Sequence, residues 1–306
     1  MHASLSYDAC IDAVRQAMVA HSSGESRHLL RSFISMGEGR TFAQMPAALS
    51  TDGYFGAKLV SVFADSTDPA HRAHRGVVVL FEGSSGEPVC VADAGAVTHI
   101  RTGAASAVAT DVLARSDARV LAVLGTGHQA ESHIIALSLV RQFEKIVVWG
   151  RNPERASAFA QRMAKETGLN VTTAPSADKA VVDADVVCTV TSAAEPILKG
   201  ECLPQGVHVN VVGSSAPGPV EVDNQLVVNS RFFVDCREHV INHGAEFLHA
   251  KKAGLVEDDH IVAEIGEVLS GETGGRQTPE EITVYKSLGH AVQDLAAVAY
   301  LYEHRN

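Results

Sequence analysis

The chain has 306 residues, of which 46% are hydrophobic and 20% are charged, and its formal net charge is −11. This length predicts about two domains with a large buried core, and the composition is that of a globular enzyme. The acidic balance argues against a surface that attracts nucleic acid or anionic membranes, so neither partner is predicted.

Cysteine usage and the N-terminal residues predict the compartment. The five cysteines are scattered without a close pair, which favours reduced thiols over a disulfide framework or a zinc site. No basic segment leads into an apolar one near the N-terminus, and no uncharged apolar stretch reaches about 18 residues. We therefore expect a cytoplasmic protein.

Of the 15 histidines, only His239 and His243 have a suggestive spacing, beyond a predicted strand end, and no metal site is predicted.

The first part of the chain predicts a helix followed by short strands. Residues 8–21 have helical apolar spacing. Strands separated by glycine turns are predicted at 31–35, 41–44, 55–63, 77–81 and 89–92. The loop with His71 and His74 is interpreted as a solvated polar loop or, alternatively, as a lid. Residues 93–115 predict a helix rich in small side chains, which permits a close approach of neighbouring elements.

From about residue 117 to 235 the pattern changes to apolar strands that alternate with helices. The predicted strands lie at 119–124, 145–149, 170–173, 185–190, 207–212 and 231–235. This alternation is typical of a doubly wound parallel sheet. The tail, residues 280–305, predicts one long helix that packs back on the first domain, because apolar residues recur along it at helical spacing.

The most informative segment is a glycine-rich turn, the run GTGHQA at 125–130, between an apolar strand and a helix. Gly125 permits a tight turn, Gly127 lets the backbone approach a pyrophosphate, and Ala130 lets the helix pack on the strand. The amides at the helix N-terminus then face the anion. In this context the turn predicts a Rossmann dinucleotide site. The contacts predicted in the turn are Gly125, Thr126, Gly127, His128 and Gln129.

The end of the next strand indicates which dinucleotide is preferred. A carboxylate there normally binds the ribose 2′-hydroxyl of NAD, but this chain has Gly150, Arg151 and Asn152. A cation at this position suits a 2′-phosphate. The sequence therefore predicts NADP as the cofactor, with NAD as the alternative, and Arg151 and Asn152 as contacts.

Eight short blocks follow one another along the chain. They are MPA at 45–47, GAKLVSVF at 56–63, Asp93 with Thr98, Arg101 and Thr102, GTGHQA at 125–130, WGRNP at 149–153, ADVVCTVT at 184–191, EPIL at 195–198, and KSLG at 286–289 with Asp294. In this order and spacing the chain resembles the ornithine cyclodeaminase/mu-crystallin family over nearly its whole length. The resemblance implies a homodimer. It also implies a substrate-binding and dimerisation domain of α+β type (residues 1–115 with 286–306) and a Rossmann dinucleotide-binding domain (residues 116–285), which agrees with the pattern above.

The resemblance points to Arg31, Lys58 and Arg101 as the substrate-binding residues, with Arg27 as a less favoured candidate for the position of Arg31. Guanidinium groups bind the carboxylate of an α-imino or α-amino acid in two-pronged fashion. A lysine beside the imine nitrogen can supply or remove a proton if its pKa is lowered. Lys58 lies in an apolar strand and Arg101 interrupts a small-residue helix, which favours a buried and paired role for both. The resemblance implies that these two are the catalytic residues.

Other residues in the matching blocks are implied as cofactor contacts. They are Thr102, Thr189, Thr191, Ser287 and Leu288. Asp294, in the predicted C-terminal helix, is interpreted only as a cap or an ion-pair partner.

One position departs from the cyclodeaminase pattern. Cyclodeaminases of this family carry an aspartate in the loop that follows the strand at 207–212, where this chain has Ser215. A serine does not act as a general base at neutral pH without an activating partner. Deaminating cyclisation is therefore disfavoured, whereas reduction of a ketimine needs only a hydride and one proton donor. Ser215 is predicted as a substrate contact, with a cofactor contact or a plain loop residue as the alternatives.

With this departure, the resemblance implies an NAD(P)H-dependent oxidoreductase that acts on a small imino- or amino-acid substrate. The predicted reaction is the reduction of cyclic ketimino acids, chiefly 1-pyrroline-2-carboxylate to L-proline, and also 1-piperideine-2-carboxylate to L-pipecolate. The alternatives are an alanine-type amino-acid dehydrogenase, an ornithine cyclodeaminase, and a non-catalytic protein that binds NADPH or another ligand.

Overall fold

The computed structural model describes residues 5–37, 40–63 and 74–305. The chain folds into two compact units, which we call the terminal unit (Met1–Arg101 with His290–Asn306) and the central unit (Thr102–Gly289). His71 and the side chain of His74 lie outside the described residues, so the alternatives for that loop stay open.

The described elements alternate between strands and helices along most of the chain. The strands are β1 (Arg27–His28), β2 (Ser32–Ser35), β3 (Arg40–Ala48), β4 (Phe55–Phe63), β5 (His74–Phe81), β6 (Pro88–Asp93), β7 (Val120–Leu124), β8 (Lys145–Trp149), β9 (Val171–Thr173), β10 (Val186–Thr189), β11 (His208–Val211), β12 (Arg231–Val234), β13 (Ile261–Glu264) and β14 (Thr283–Lys286). The α-helices are α1 (Tyr7–Ser22), α2 (Ala94–Leu113), α3 (His128–Val140), α4 (Pro153–Thr167), α5 (Ala177–Val181), α6 (Asn224–Asn229), α7 (Arg237–His243), α8 (Ala245–Lys252), α9 (Ile265–Leu269) and α10 (Ala291–Glu303). Short 3-10 helices span Gly200–Cys202 and Asp258–His260.

The terminal unit is built on an antiparallel sheet. Within the described residues the sheet has six strands, in the order β1-β3-β4-β5-β6, with β2 also paired to β3. Because side chains alternate between the two faces of a strand, Met45, Val78 and Leu80 share one buried face. Helix α10 packs against β3, β4 and β5, and α1 packs against α10. Lys58 is in register with Met45 and Val78, and it therefore belongs to the same buried face.

The opposite face of this sheet carries several exposed apolar side chains. The register of β2 to β6 places Ile34, Phe55, Phe63, Val77 and Val91 on it. Their exposed fractions range from 37% for Phe55 and Val77 to 65% for Val91. Clusters of exposed apolar side chains are typical of interaction surfaces. We call these five residues the outward face.

The central unit contains a parallel sheet. In the part of the chain that the structure describes, it has eight strands in the order β13-β12-β14-β11-β10-β7-β8-β9, and every neighbouring pair is parallel. All residues of β10 and β11 are buried, as is typical of parallel sheets. The strand order reverses between β7 and β10, and open α/β sheets bind ligands at the carboxyl ends of such a pair. The predicted doubly wound Rossmann sheet with a second α+β unit is confirmed.

The prediction of one helix over residues 280–305 is wrong. Residues Thr283–Lys286 form β14, which pairs with β11 on one side and β12 on the other, and α10 begins only at Ala291. The apolar spacing that indicates a helix also fits a short buried strand, and β-branched threonine and valine favour the strand. Gly289, with φ +72°, forms the turn between strand and helix.

Small residues bring α2 close to α3 in the central unit. A Cβ on Gly103 would lie 2.8 Å from the backbone carbonyl oxygen of Ser132, so the contact requires glycine. The buried His133 contacts Ser106 through Nε2 at 2.9 Å and the carbonyl oxygen of Gln129 through Nδ1 at 2.7 Å. Since a carbonyl only accepts, Nδ1 donates and Nε2 accepts from the Ser106 hydroxyl. These contacts fix the first turn of α3.

Two further properties concern the described chain as a whole. Among these residues, none of the five cysteines forms a disulfide. None of the described helices has the length and apolar character needed to span a bilayer.

Candidate functional site

The glycine turn of the central unit begins directly after β7. Gly125 has φ +138°, and a Cβ there would lie 2.8 Å from the carbonyl oxygen of Val190, next to the end of β10. Its amide donates to the carbonyl of Trp149, at the end of β8, over 2.8 Å. The turn is therefore held between the ends of the neighbouring strands, at the reversal of strand order.

Gly127 leaves the space that a bound anion requires. It is the N-cap of α3, and a Cβ there would meet no atom of the described residues within 4 Å. His128 is exposed, whereas Thr126 and Gln129 are half-buried. The start of a helix carries partial positive charge from its backbone amides. The turn thus fits the pyrophosphate of a dinucleotide.

The residues after β8 supply one exposed cation and one helix cap. The side chain of Arg151 is exposed. Oδ1 of Asn152 accepts a hydrogen bond from the backbone amide of Arg155 at 2.8 Å and so caps α4. The side chain of Arg151 is therefore available for a 2′-phosphate. The side chain of Asn152 already caps α4, so the contact predicted between Asn152 and the cofactor would have to form beside this hydrogen bond.

The two threonines predicted at the end of β10 are both hydrogen-bonded to Glu221. The hydroxyls of Thr189 and Thr191 donate to its carboxylate at 2.8 and 2.7 Å. The backbone amides of Thr191 and Gly213 donate to the same carboxylate, each at 2.6 Å. Burial raises the pKa of Glu221, although these hydrogen bonds oppose the rise. The threonine side chains are thus anchored within the protein.

Two other predicted cofactor contacts carry buried hydroxyls whose partners are missing. Oγ1 of Thr102 and Oγ of Ser287 have no hydrogen-bond partner among the described residues. A buried hydroxyl without a partner is unfavourable, and a bound polar molecule would satisfy it. The next residue, Leu288, is buried, and its amide donates to Asp235 at 2.8 Å, which fixes this turn.

In the terminal unit, Lys58, Arg101 and Asp294 form a buried ion cluster. Nζ of Lys58 and Nε of Arg101 lie 2.9 and 3.0 Å from the same oxygen, Oδ1 of Asp294. None of the three residues is more than 6% exposed. Lys58 also donates to Oγ1 of Thr98 at 2.5 Å, and Nη1 of Arg101 donates to Oε1 of Gln293 at 2.9 Å. Residues of β4, α2 and α10 therefore meet at one carboxylate.

This cluster has hydrogen-bonding capacity left for a bound molecule. An ammonium group has three donors, of which Lys58 directs two to Thr98 and Asp294. Oδ2 of Asp294 is buried and has no hydrogen-bond partner in the described part of the chain. One N–H donor and one carboxylate oxygen are thus available side by side.

Burial and charge set the protonation of this cluster. Burial lowers the pKa of Lys58 to about 8; Asp294 opposes this change, and Arg101 and Arg31 add to it. Burial alone would raise the pKa of Asp294, but Arg101 and Lys58 hold it below its usual value. At neutral pH Lys58 is therefore a cation that gives up its proton more easily than an exposed lysine, as a proton donor in catalysis must.

The other residues predicted to bind substrate are less enclosed. Arg31 lies between β1 and β2 and is half-buried, and its charge contributes to the lowered pKa of Lys58. Arg27 is exposed. Ser215 is exposed in the loop at 213–219 of the central unit. Their contacts with substrate stay predictions.

Two acids of these sites were not among the predicted site residues, although Asp294 belongs to one of the matching blocks. Asp294 proves to be an ion-pair partner, as one interpretation of the sequence had it, but it pairs with both predicted catalytic residues. Glu221 stands between Val220 and Val222, and Asp294 stands in an apolar helix. A carboxylate inside an apolar run is the signal that could have identified them, because such a group is buried only with partners.

Comparisons with known proteins extend the resemblance. The family model for the ornithine cyclodeaminase/mu-crystallin family matches residues 1–306. The chain is 36% identical over 267 residues to a Delta(1)-pyrroline-2-carboxylate reductase of Bacillus cereus, a match that covers 87% of this chain and 82% of that protein.

Two solved structures have the same fold. One is Delta(1)-pyrroline-2-carboxylate reductase of Thermococcus litoralis in complex with NADH and L-proline, with a TM-score of 0.93 and 32% identity over 97% of this chain and 93% of that one. The other is an archaeal alanine dehydrogenase dimer with bound NAD, with a TM-score of 0.91 and 30% identity over 97% of this chain and 91% of that one.

Proposed function

Because the chain belongs to the ornithine cyclodeaminase/mu-crystallin family, we propose that it is an NAD(P)H-dependent reductase of cyclic ketimino acids. Its chief reaction is 1-pyrroline-2-carboxylate to L-proline, and it also reduces 1-piperideine-2-carboxylate to L-pipecolate. The observation that carries this proposal is the buried cluster of Lys58, Arg101 and Asp294, with a lysine of lowered pKa and an unused carboxylate oxygen. The names of the two related pyrroline-2-carboxylate reductases support it.

The chain's own residues orient the substrate and move one proton. Arg101 directs Nε and Nη1 to Asp294 and Gln293, which leaves Nη2 for the substrate carboxylate, with Arg31 as the second cation. Nζ of Lys58 donates a proton to the imine nitrogen, and this proton makes the imine carbon electrophilic. A nicotinamide cofactor, when bound, supplies the hydride for that carbon. Asp294 holds the ammonium in place and stabilises its charged form.

The cofactor is held in the central unit by the glycine turn and the start of α3. NADPH is the preferred form, since Arg151 offers an exposed guanidinium, at the end of β8, for the 2′-phosphate. The hydroxyls of Thr102 and Ser287 gain the partner that they otherwise lack. The absence of disulfides among the described cysteines supports a reducing compartment, and we place the enzyme in the cytoplasm.

The direct test follows the oxidation of NADPH and of NADH with freshly prepared 1-pyrroline-2-carboxylate and no added ammonia. We expect rapid oxidation with NADPH preferred, and we expect Arg151→Gln to reduce that preference. Oxidation that requires ammonia and a 2-oxo acid would replace the proposal with an amino-acid dehydrogenase. Ammonia release from L-ornithine would identify a cyclodeaminase, and NADPH binding without turnover would identify a binding protein.

The rate of reduction is expected to fall at alkaline pH. The proton donor must be charged, and the pKa of Lys58 is about 8. The limiting rate with saturating substrate should therefore be constant below that pH and fall by about tenfold for each pH unit above it. Stopped-flow measurement of NADPH oxidation between pH 6 and pH 10 checks this. A rate that stays constant to about pH 10 would exclude Lys58 as the proton donor.

The outward face supports a homodimer. The exposed Val91 and Phe63 belong to a sheet face with several exposed apolar side chains, which a second copy of the chain would cover. Val91→Glu is expected to raise the dissociation constant of the dimer about 100-fold, because it places an unpaired carboxylate in the contact. Light scattering across a dilution series measures this. Val182→Glu, on an exposed valine of the central unit, is the control, and equal behaviour of the two variants would refute this interface.

A further inference from the structure

We infer that Glu221 is a positioning residue, which fixes the loops after β10 and β11 and thereby sets the affinity for the cofactor. The part that concerns affinity rests on the proposed function. Glu221 itself touches neither substrate nor cofactor in this scheme. It acts through Thr191 and Gly213, which begin the loops that follow β10 and β11.

The carboxylate is bound by four donors from two different strand ends. Oε1 accepts from the amide and the hydroxyl of Thr191, at 2.6 and 2.7 Å. Oε2 accepts from the hydroxyl of Thr189 at 2.8 Å and from the amide of Gly213 at 2.6 Å. A carboxylate has four lone-pair directions, so this set satisfies it completely. The two backbone amides fix the exit of the chain from β10 and from β11.

Steric contact joins the same two exits. A Cβ on Gly213 would lie 2.1 Å from the carbonyl oxygen of Thr191 and 2.5 Å from Cδ of Glu221. Such distances are impossible, so only glycine brings the loop at 213–219 close enough to share the carboxylate. The loop that carries Ser215 and the end of β10 are therefore interlocked.

A further layer of buried charges holds Glu221 in place. Its backbone amide donates to Oε1 of Glu246 at 3.2 Å. Oε2 of Glu246 lies 2.7 Å from Nζ of Lys286, which also donates to the carbonyl oxygen of Ser214 at 2.7 Å. Lys286 directly precedes Ser287. The network therefore reaches three segments that carry predicted contacts, at the ends of β10, β11 and β14.

The chemistry requires an acid at this position. All four groups donate toward the carboxylate, and an amide in its place would turn an NH2 group toward one pair of donors. Glu221→Gln therefore disrupts one of the two strand ends while changing the side-chain volume little. Glu221→Asp keeps the charge but shortens the reach by one methylene.

The test measures loop protection and cofactor binding in parallel. Hydrogen–deuterium exchange is followed in peptides that cover 191–198 and 213–219, and NADPH binding is followed by fluorescence. For Glu221→Gln we expect about tenfold faster exchange in both loops and about a tenfold higher Kd for NADPH. The peptide of β8 at 145–149 should be unchanged. Glu201→Gln, an exposed glutamate of the same unit, is the matched control and should behave as the wild type.

Each outcome of this test supports or overturns the positioning role of Glu221. Faster exchange that spreads equally to 145–149 would show a merely structural role and overturn the inference, as would unchanged exchange and Kd. If Glu221→Gln does not fold, Glu221→Asp is measured in its place with the same expectations. If the wild type does not bind NADPH, the proposed function fails, and the exchange of the two loops still decides whether Glu221 positions them.

Discussion

Replacing Lys58 with methionine is expected to lower kcat for 1-pyrroline-2-carboxylate by about 10³-fold, within the range that a general acid contributes. Methionine has a similar length and keeps the packing against Met45 and Val78 on the buried face. It cannot donate a proton, so the imine would have to be protonated by water. The Kd for NADPH should change by less than about twofold, because the loss is confined to the proton donor. Single-turnover kinetics with saturating NADPH measure the effect.

Lys145→Met is the control for this experiment. Lys145 begins β8 and is exposed, so its replacement removes the same charge without touching the cluster. A Lys58→Met variant that retains full turnover would remove Lys58 from the mechanism. A variant that loses NADPH binding as well would show that the substitution disturbs more than proton transfer.

Asp294→Asn is expected to have the largest effect on stability. The substitution leaves the buried cations of Lys58 and Arg101 without their shared counterion. Breaking a buried ion pair by removing one partner lowers the free energy of unfolding by about 3–5 kcal/mol. Urea denaturation at pH 7 measures the change. Asp117→Asn is the control, since Asp117 pairs with Arg115 at an exposed site, where such a pair contributes little.

Asp294→Asn is also expected to shift the pH dependence of the rate of reduction in a definite direction. Asp294 raises the pKa of Lys58, and without it burial and Arg101 lower that pKa below about 8. The alkaline fall in the rate of reduction should therefore begin at a lower pH in Asp294→Asn than in the wild type. A fall that begins at the same pH would mean that Asp294 does not control the proton donor.

Local signals in the sequence predicted much of the fold. The strand at 55–63 has the same bounds in the structure as in the prediction, because a run interrupted only by Lys58 and Ser61 in its apolar character is flanked by turn residues. The turn at 125–130 also follows from short-range requirements, since Gly125 adopts a positive φ that glycine alone adopts easily. The prediction of Lys58 and Arg101 relied on motif, and their pairing on one carboxylate adds the geometry that a motif lacks.

The features that were missed depend on long-range pairing. In the run ITVYK at 282–286 the only local preference for a strand is the weak one of its β-branched residues, and its place between β11 and β12 decides. Glu221 is separated from Thr191 by 30 residues, so no window of sequence contains the interaction. Asp294 and Lys58 are 236 residues apart, and their pairing requires the fold of the terminal unit.

The position of β14 has a consequence for the order in which the protein can assemble during synthesis. β14 is the last of the described strands, yet it lies inside the sheet, between β11 and β12. Until the ribosome has released residues 283–286, the pair formed by β12 and β13 has no hydrogen-bonded partner in the rest of the described sheet. A nascent chain that ends before this point exposes two unpaired strand edges, which favour association with other chains. Completion of the central unit thus waits for residues 283–286, and we expect a chain that terminates before them to be prone to aggregation.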